Sequence, residues 1–526
     1  MCGIICVLSR KGDRATPTHD DIFHQFLAAQ TLMEQASTDF TSAERAAEAL
    51  EAVNTLLKGD AGVRAMVGSP ELVDGVRAAL AKLAPQVEKY EAALEASQDA
   101  HLIENASHTV SAIKDALWSI SDDRLRTARE VSLLAGMHAS EESLHGYLSI
   151  QQALSAIDRM EVRGRDSAGI GVVVWGHGLT EDVVLGDPAL RNAFVPRHED
   201  ALFTSRSVRV EGDAWVFVYK AAAEIGELGD NTKTMRQHIL QDALLRRVVS
   251  AKNAQVSVIG HTRWASVGII SEPNAHPVTG EEVNKKQPLV LAVLNGDVDN
   301  YADLKVEHDI SVAASITTDA KVIPSLVARG LQVGQPLQQS FLNAVTQFDG
   351  SVAIAALSVD HPNSVMLALR GSGQGMCIGL AEDRFIVASE PYGTVEDTVN
   401  IVRMDGESLV SPDQPASRGQ VIQLSASNAG NIAGMERVSY DGSSLPVTGN
   451  DVVDAGVTTR DIDRGTSPHF LLKEILEAPE SFRKTLRGRI HEINGVCAAD
   501  LDEDVLPKDV VKLLVARKIR RIRVIG

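Results

Sequence analysis

The chain opens on an unbroken apolar run, Ile4-Ile5-Cys6-Val7-Leu8, which predicts a buried β-strand holding the terminus at a sheet edge. Ser9 to Asp13 reads as a turn, and the pattern then changes. Between residues 17 and 136 apolar positions recur at helical spacing: Ile22, Phe26 and Met33; Leu50, Val53 and Leu57; Leu72, Val76, Leu80, Leu83, Val87 and Leu94; Ile113, Leu117 and Ile120. Thr41 with Glu44 forms a capping box, Ser69 precedes Pro70 at a first helical position, and Gly59 and Gly68 supply breaks. An antiparallel bundle or long helical hairpin of about four to six helices is expected. A further helix is predicted over 141–160, with Leu144, Leu148, Ile157 and Met160 on one face.

From Arg163 onward the character is α+β. Strand-like runs at 169–174, 214–219, 254–260, 289–293, 352–357, 365–369, 376–380 and 385–389 alternate with helices at 232–250 and 318–329. Hairpin-length connections predict antiparallel sheets. The strand signal thins beyond 424, Asp441-Gly442-Ser443-Ser444 begins a linker, and a helix-like stretch (510–518) leads into a strand at 522–526.

With 526 residues, the chain is too long for one ordinary core. A net charge of −19 argues against nucleic acid or an anionic membrane as partner, and no stretch reaches the roughly 18 apolar residues of a membrane span. Cys2, Cys6, Cys377 and Cys497 lack metal-ligand spacing, so neither metal nor cofactor is expected, and so few cysteines suit the reducing cytoplasm.

The candidate chemistry begins at Cys2. Loss of Met1 leaves a thiol and a free α-amine on one residue, a nucleophile with its own base. Taken alone, position 2 reads better as an ordinary apolar start that happens to carry Cys. Three distant segments change that: Arg163-Gly164-Arg165-Asp166-Ser167-Ala168-Gly169; Gly260-His261-Thr262-Arg263-Trp264-Ala265-Ser266, followed by Asn274-Ala275-His276-Pro277; and Leu294-Asn295-Gly296. With Cys2 they resemble the class II, N-terminal-nucleophile glutamine amidotransferases. Within that class the chain is most similar to the glutaminase half of glucosamine-6-phosphate synthase.

The resemblance implies a four-layer αββα sandwich of antiparallel sheets, with an all-α helical bundle inserted. It implies that Cys2 attacks glutamine, with the Asn295 side chain and the Gly296 N–H as oxyanion hole, although Asn-Gly is also the strongest hairpin-turn signal. Arg263 matches the residue that forks onto the glutamine α-carboxylate, and Asp319 the one that holds its α-ammonium; Asp319 equally suits a helix N-terminus. Trp264 falls where the family gates an ammonia passage, Ser266 where a Thr touches substrate, and Arg163 near the nucleophile. His276 is expected to orient its neighbours rather than act as a base. Val267 and Leu294 stand where the family usually has His, which places loop ordering and turnover in question.

The organisation implied is a glutaminase domain over 1–10 and 141–440, a helical insertion over 11–140, a linker over 441–505 and the start of a sugar-isomerase domain over 506–526. Pro468 to Ile475 and Thr485 to Arg489 are similar to the segment joining the two halves of the synthase. The family turns directly from its first strand into the helix at 141–160, so removal of residues 13–136 is expected to leave a folded domain. The implied partners are glutamine, a sugar phosphate accepting ammonia through an isomerase half, and a protein or second copy on residues 17–136. Another ammonia acceptor, or a weakened glutaminase serving as a scaffold, are the alternative readings.

Overall fold

The computed structural model describes residues 2–36, 40–95, 100–136, 138–222, 227–410, 413–486, 490–493, 496–499 and 506–523. The chain divides into two compact units, the larger made of Met1–His24, Ala52–Arg77 and Leu117–Ile462.

Two antiparallel sheets form the centre of this unit. Their strands in chain order begin with β1 (Gly3–Ser9), β2 (Ser167–Trp175), β3 (Val208–Glu211), β4 (Ala214–Ala221) and β5 (Gln255–Arg263). Then come β6 (Val278–Thr279), β7 (Val290–Gly296), β8 (Val352–Ser358), β9 (Ser364–Arg370) and β10 (Cys377–Leu380). The last are β11 (Arg384–Ala388), β12 (Asn400–Arg403), β13 (Gln420–Ser425), β14 (Met435–Ser439) and β15 (Val452–Asp454). The nine-stranded sheet runs β15-β12-β10-β11-β1-β5-β2-β4-β3 and the six-stranded one β14-β13-β9-β8-β7-β6. β1 is therefore central rather than at an edge. Its uninterrupted apolar run fits that place, because both faces are covered: Ile5 and Val7 pack toward helices, while Ile4, Cys6 and Leu8 pack toward the second sheet. β7 and β8 repeat the pattern with Leu291, Val293 and Ala355 inward and Val290, Ala292 and Ile354 toward the other helical layer.

The helices before β2 are α1 (His19–Gln35), α2 (Phe40–Leu57), α3 (Gly59–Met66), α4 (Pro70–Glu95), α5 (Ala100–Trp118), α6 (Leu125–Ala135) and α7 (Glu141–Met160). Thr41 lies inside α2, which starts at Phe40, so the capping box predicted there does not begin the helix. A π-helical turn, Ser119–Arg124, joins α5 to α6. The boundaries of the two units fall within α1, α2, α4 and α5, while α3 and α6 lie wholly in the larger unit. α7 buries Leu144, Leu148, Ile157 and Met160 as its spacing predicts, but also Ser149, Gln151, Gln152 and Ser155 on other faces. The reason is that α7 packs on β1 and β5 on one side and on α3 and α6 on another, with Val63, Val131 and Leu134 in the same apolar core.

After β2 come α8 (Glu181–Gly186), α9 (Pro188–His198), α10 (Asp230–Leu240) and α11 (Ala243–Val249). The single helix expected at 232–250 is thus two, because Asp242 interrupts it and caps α11, accepting from the Leu244 and Leu245 N–H groups at 3.1 Å each. The fourth layer is α12 (Tyr301–Glu307), α13 (Val322–Gln332) and α14 (Leu337–Val345), packed through Ile323, Val327 and Phe341. The architecture is an α+β sandwich with helices on both outer faces.

The second unit, Gln25–Glu51, Ala78–Ala116 and Asp463–Gly526, buries Phe26, Met33, Leu50, Leu83, Val87 and Ile113. It also holds α15 (Phe470–Leu486), the antiparallel pair β16 (Ile490–Ile493) and β17 (Val496–Ala499), and α16 (Lys508–Val515). Of the strand expected at 522–526, Ile522 and Arg523 have no regular structure and the rest lies outside the described residues, as do residues 487–489 of the segment resembling the family's connection.

Candidate active site

Cys2 heads the central strand, and four segments meet around it. Its Sγ accepts a hydrogen bond from the Trp264 N–H at 3.2 Å and lies 3.5 Å from the Trp264 carbonyl oxygen. Burial pushes the thiol up, while the Trp264 N–H and the Arg263 guanidinium act in the opposite direction. Cys6 is buried without such relief and is driven upward, and at Cys377 burial outweighs the nearby Arg403 and the hydrogen bond to the Ala388 backbone, leaving the thiol up at about 12.

Asn295 lies next to the thiol's own backbone. Its Nδ2 donates to the Cys2 carbonyl at 2.9 Å and to Ser389 Oγ at 2.8 Å, and Ser389 Oγ also accepts from the Ile4 N–H at 2.6 Å. The amide oxygen is 2.9 Å from His261 Nε2. Because Asn295 spends its donors elsewhere, its oxygen must accept, and Nε2 of His261 carries the proton. Burial holds the His261 ring neutral, with its pKa drawn down to about 3. His276 lies 4.4 Å away ring to ring, accepts from the Leu294 N–H at 3.3 Å and faces Thr318 Oγ1 at 3.4 Å. It too is kept neutral by burial. Gly296 has φ +94°, and a Cβ there would lie 1.9 Å from the Ser351 carbonyl oxygen, so no other residue fits the turn behind Asn295.

Arg263 is buried at the end of β5, its guanidinium donating to the carbonyls of Val267 and Ile269 (the latter at 3.4 Å). Burial lowers its pKa, and the nearby Cys2, Asp319 and Asp166 act against that. The loop after it is fixed at its start. Asp166 Oδ2 accepts from the Ala265 N–H at 2.8 Å, and Gly164 lies against the Arg263 backbone, where a Cβ would come within 2.6 Å. Ser266 donates to Asp297 Oδ1 at 2.5 Å, and Trp264 is 61% exposed. Asp319 accepts from the Val298 N–H at 2.8 Å, and its pKa is raised by burial and then by Asp297. Arg163 is engaged with Glu390 at 3.0 Å, one residue past Ser389.

Cys2, Asn295, Gly296, Arg263 and Asp319 thus come from remote parts of the chain to one end of β1. The residues that sequence reasoning gave no role are His261, Ser389 and Asn274. Asn274 Oδ1 accepts from the Thr317 and Thr318 N–H groups at 2.7 and 3.0 Å, tying the segment before Asp319 to His276. His261 and Asn274 lie inside the motifs and carried a signal; Ser389 ends a strand run like any other serine. Among the described residues no group of His, Cys, Asp and Glu is arranged to hold a metal.

No protein-family model matches the chain. It is similar to isomerizing glutamine–fructose-6-phosphate aminotransferases: 27% identical over 305 residues to that of Bacillus thuringiensis subsp. konkukian, covering 58% of this chain and 42% of the relative. To that of Shouchella clausii it is 26% identical over 364 residues, 68% of this chain and 46% of the relative. The chain therefore spans less than half the length of these relatives. Among solved structures, a Bacillus subtilis glutamine phosphoribosylpyrophosphate amidotransferase complexed with ADP and GMP overlays at a TM-score of 0.34 and 17% identity, covering 56% of this chain and 47% of that one.

Proposed function

We propose that this chain is a glutamine amidotransferase which hydrolyses glutamine to glutamate and ammonia through a Cys2 thioester. The observation that carries the reading is the convergence of Asn295, Arg263 and Asp319 on the head of β1 beside the Cys2 thiol. Removal of Met1 gives Cys2 a free α-amine, which takes the thiol proton as Sγ attacks the side-chain amide carbon. The tetrahedral oxyanion is met by the Gly296 N–H and by an Asn295 Nδ2–H that gives up the Cys2 carbonyl or Ser389 Oγ to reach it; collapse expels ammonia after the α-ammonium returns its proton to the leaving nitrogen. Water then hydrolyses the thioester and releases glutamate. Each such donor accounts for a factor of about 10²–10³ in rate.

Arg263 binds the α-carboxylate by exchanging the loop carbonyls of Val267 and Ile269 for it, so substrate binding and the loop over 264–270 move together. Asp319, a buried carboxylate next to Asp297, is relieved by the substrate's ammonium. The ammonia acceptor, following the relatives' name, is fructose 6-phosphate, bound by an isomerase half.

Intact-mass analysis and labelling with a glutamine-analogue electrophile test the mechanism. The expected result is absence of Met1 and modification of Cys2 alone, because Cys2 is the one thiol paired with an α-amine and with the glutamine-binding residues, while Cys6 and Cys377 are buried. Retained Met1, or a label on Cys377, would refute it. Glutamate release is expected without sugar phosphate and is accelerated when a separate isomerase half and fructose 6-phosphate are added; glucosamine 6-phosphate is the readout for the acceptor.

A further inference from the structure

β1 carries Cys2 at its head, and at its other end Ser9 and Arg10 open onto a cavity of about 370 Å³. A seven-residue strand is on the order of 20 Å long, so this is a separate space from the glutamine pocket. Its remaining walls come from α3, the first turns of α7, the turn before β5 and the segments just before β9 and just after β13.

The wall is not self-satisfied. Asp60, only 6% exposed, has an Oδ1 without a hydrogen bond, and the buried Arg64 Nε and His145 Nδ1 beside it also lack one. The ion pairs among these groups are long: Arg64 Nε to Asp60 Oδ2 3.5 Å, His145 Nδ1 to Asp60 Oδ1 3.5 Å, and Arg64 Nη1 to Glu141 Oε2 3.6 Å. Buried polar atoms in native proteins are satisfied by protein, water or ligand. The charge balance states what suits the space. Carboxylates (Asp60, Glu141, Glu142) and cations (Arg10, Lys11, Arg64) line it in equal number, so an anion alone or a cation alone meets like charge. The amides of Asn253, Gln255 and Asn363 add neutral donors and acceptors, and His145 is the one ring in the wall, leaving no platform for a nucleobase.

We propose that this cavity is a second small-molecule site, taking a small zwitterion that carries an ammonium and a carboxylate or phosphate, and that the inserted helix α3 closes it over the end of β1. A ligand on Asp60 has a direct line to that strand: His145 Nε2 lies 3.0 Å from Ser9 Oγ, which in turn meets Ser149 Oγ at 3.2 Å. The inference stands on the cavity alone and does not depend on the glutamine chemistry.

Calorimetric titration of the full chain tests it, using an Arg263→Ala background that disables the glutamine pocket. The probes are glutamate, glucosamine 6-phosphate, and fructose 6-phosphate as an anion without an ammonium. Saturable one-to-one binding of glutamate or of glucosamine 6-phosphate is expected, the one that binds identifying the source, with at least about tenfold weakening in Asp60→Asn and in Glu142→Gln. Glu142 is half-buried, so that second variant decides the matter if Asp60→Asn no longer melts cooperatively. Absence of saturable binding of both zwitterions at millimolar concentration, indifference to Glu142→Gln, or equal affinity for fructose 6-phosphate overturns the proposal.

Discussion

At the scale of single residues, the proposed site depends on groups set behind those assigned to substrate. Asn295 can aim its donors only while its oxygen is held, and His261 Nε2 is what holds it. His261→Ala should lower glutaminase kcat by roughly tenfold or more, less than loss of the donor itself, while KM changes little. Steady-state kinetics alongside a melting curve decide it; an unchanged kcat would remove His261 from the machinery. Lys220 is a different case. It is 1% exposed, its Nζ has no hydrogen-bond partner, it sits 5.1 Å over the Phe203 ring, and burial draws its pKa down to about 7. The unfolded chain, with lysine near 10.4, holds more protons than the folded one between about pH 7 and 10, so stability rises with pH across that window and the penalty is full below it. Lys220→Met should therefore raise the melting temperature at neutral pH, removing a cost on the order of a few kcal/mol, and abolish that rise. Melting curves across the window check both.

Among the elements, α6 is tied to the segment that positions the site. Glu396 accepts from Thr127 Oγ1 at 2.5 Å and pairs with Arg126 at 3.0 Å and Arg159 at 2.5 Å, while Arg124 donates to its carbonyl. These cations hold its carboxylate well below the usual range despite complete burial. The stretch runs back within a few residues to Glu390, the partner of Arg163, and to Ser389, the partner of Asn295. Glu396→Gln leaves buried cations unpaired and should cost about 3–5 kcal/mol, read as a lower urea midpoint at unchanged slope. In the parent the contribution of Glu396 is present above the unfolded carboxylate pKa of about 4.3 and is lost as pH falls toward its lower folded value. None of this was legible in the sequence. The central strands were, because burial on both faces leaves an unbroken apolar run, and α7 was, because Ser140 caps it and the helical period is strong. The place of β1 in the middle of the sheet was not, since its partners β5 and β11 lie hundreds of residues away. The short strands β3, β14 and β15, all at sheet edges, give too few alternating positions to register. For the site, Cys2, Arg263, Asn295 and Asp319 stood out through their motifs; Ser389 did not, because a single hydroxyl has no pattern.

At the scale of the whole chain, the question is whether the helices before α7 can be removed. The family-like connection from first strand to helix suggests so, but α3 and α6 cover a side of α7 that would otherwise face water. Val63, Val131, Leu134 and Ala135 share one apolar core with Leu144, Tyr147 and Ile157, and Gln152, beneath them, is committed to Asp397 at 2.6 Å and Arg384 at 2.7 Å. Burying an aliphatic side chain is worth about 1.5–3 kcal/mol, so exposing several at once exceeds the roughly 5–15 kcal/mol that holds a typical domain together. Deleting residues 13–136 should abolish the cooperative melt. Replacing only 25–51 and 78–116 with Gly-Ser linkers keeps α3, α6 and the Glu396 network, and should preserve that melt along with glutamine hydrolysis. Circular dichroism and a glutamate assay on the two deletions separate the outcomes. A cooperative transition in the larger deletion would mean that α7 finds its cover elsewhere and that the whole helical segment is dispensable to the sandwich.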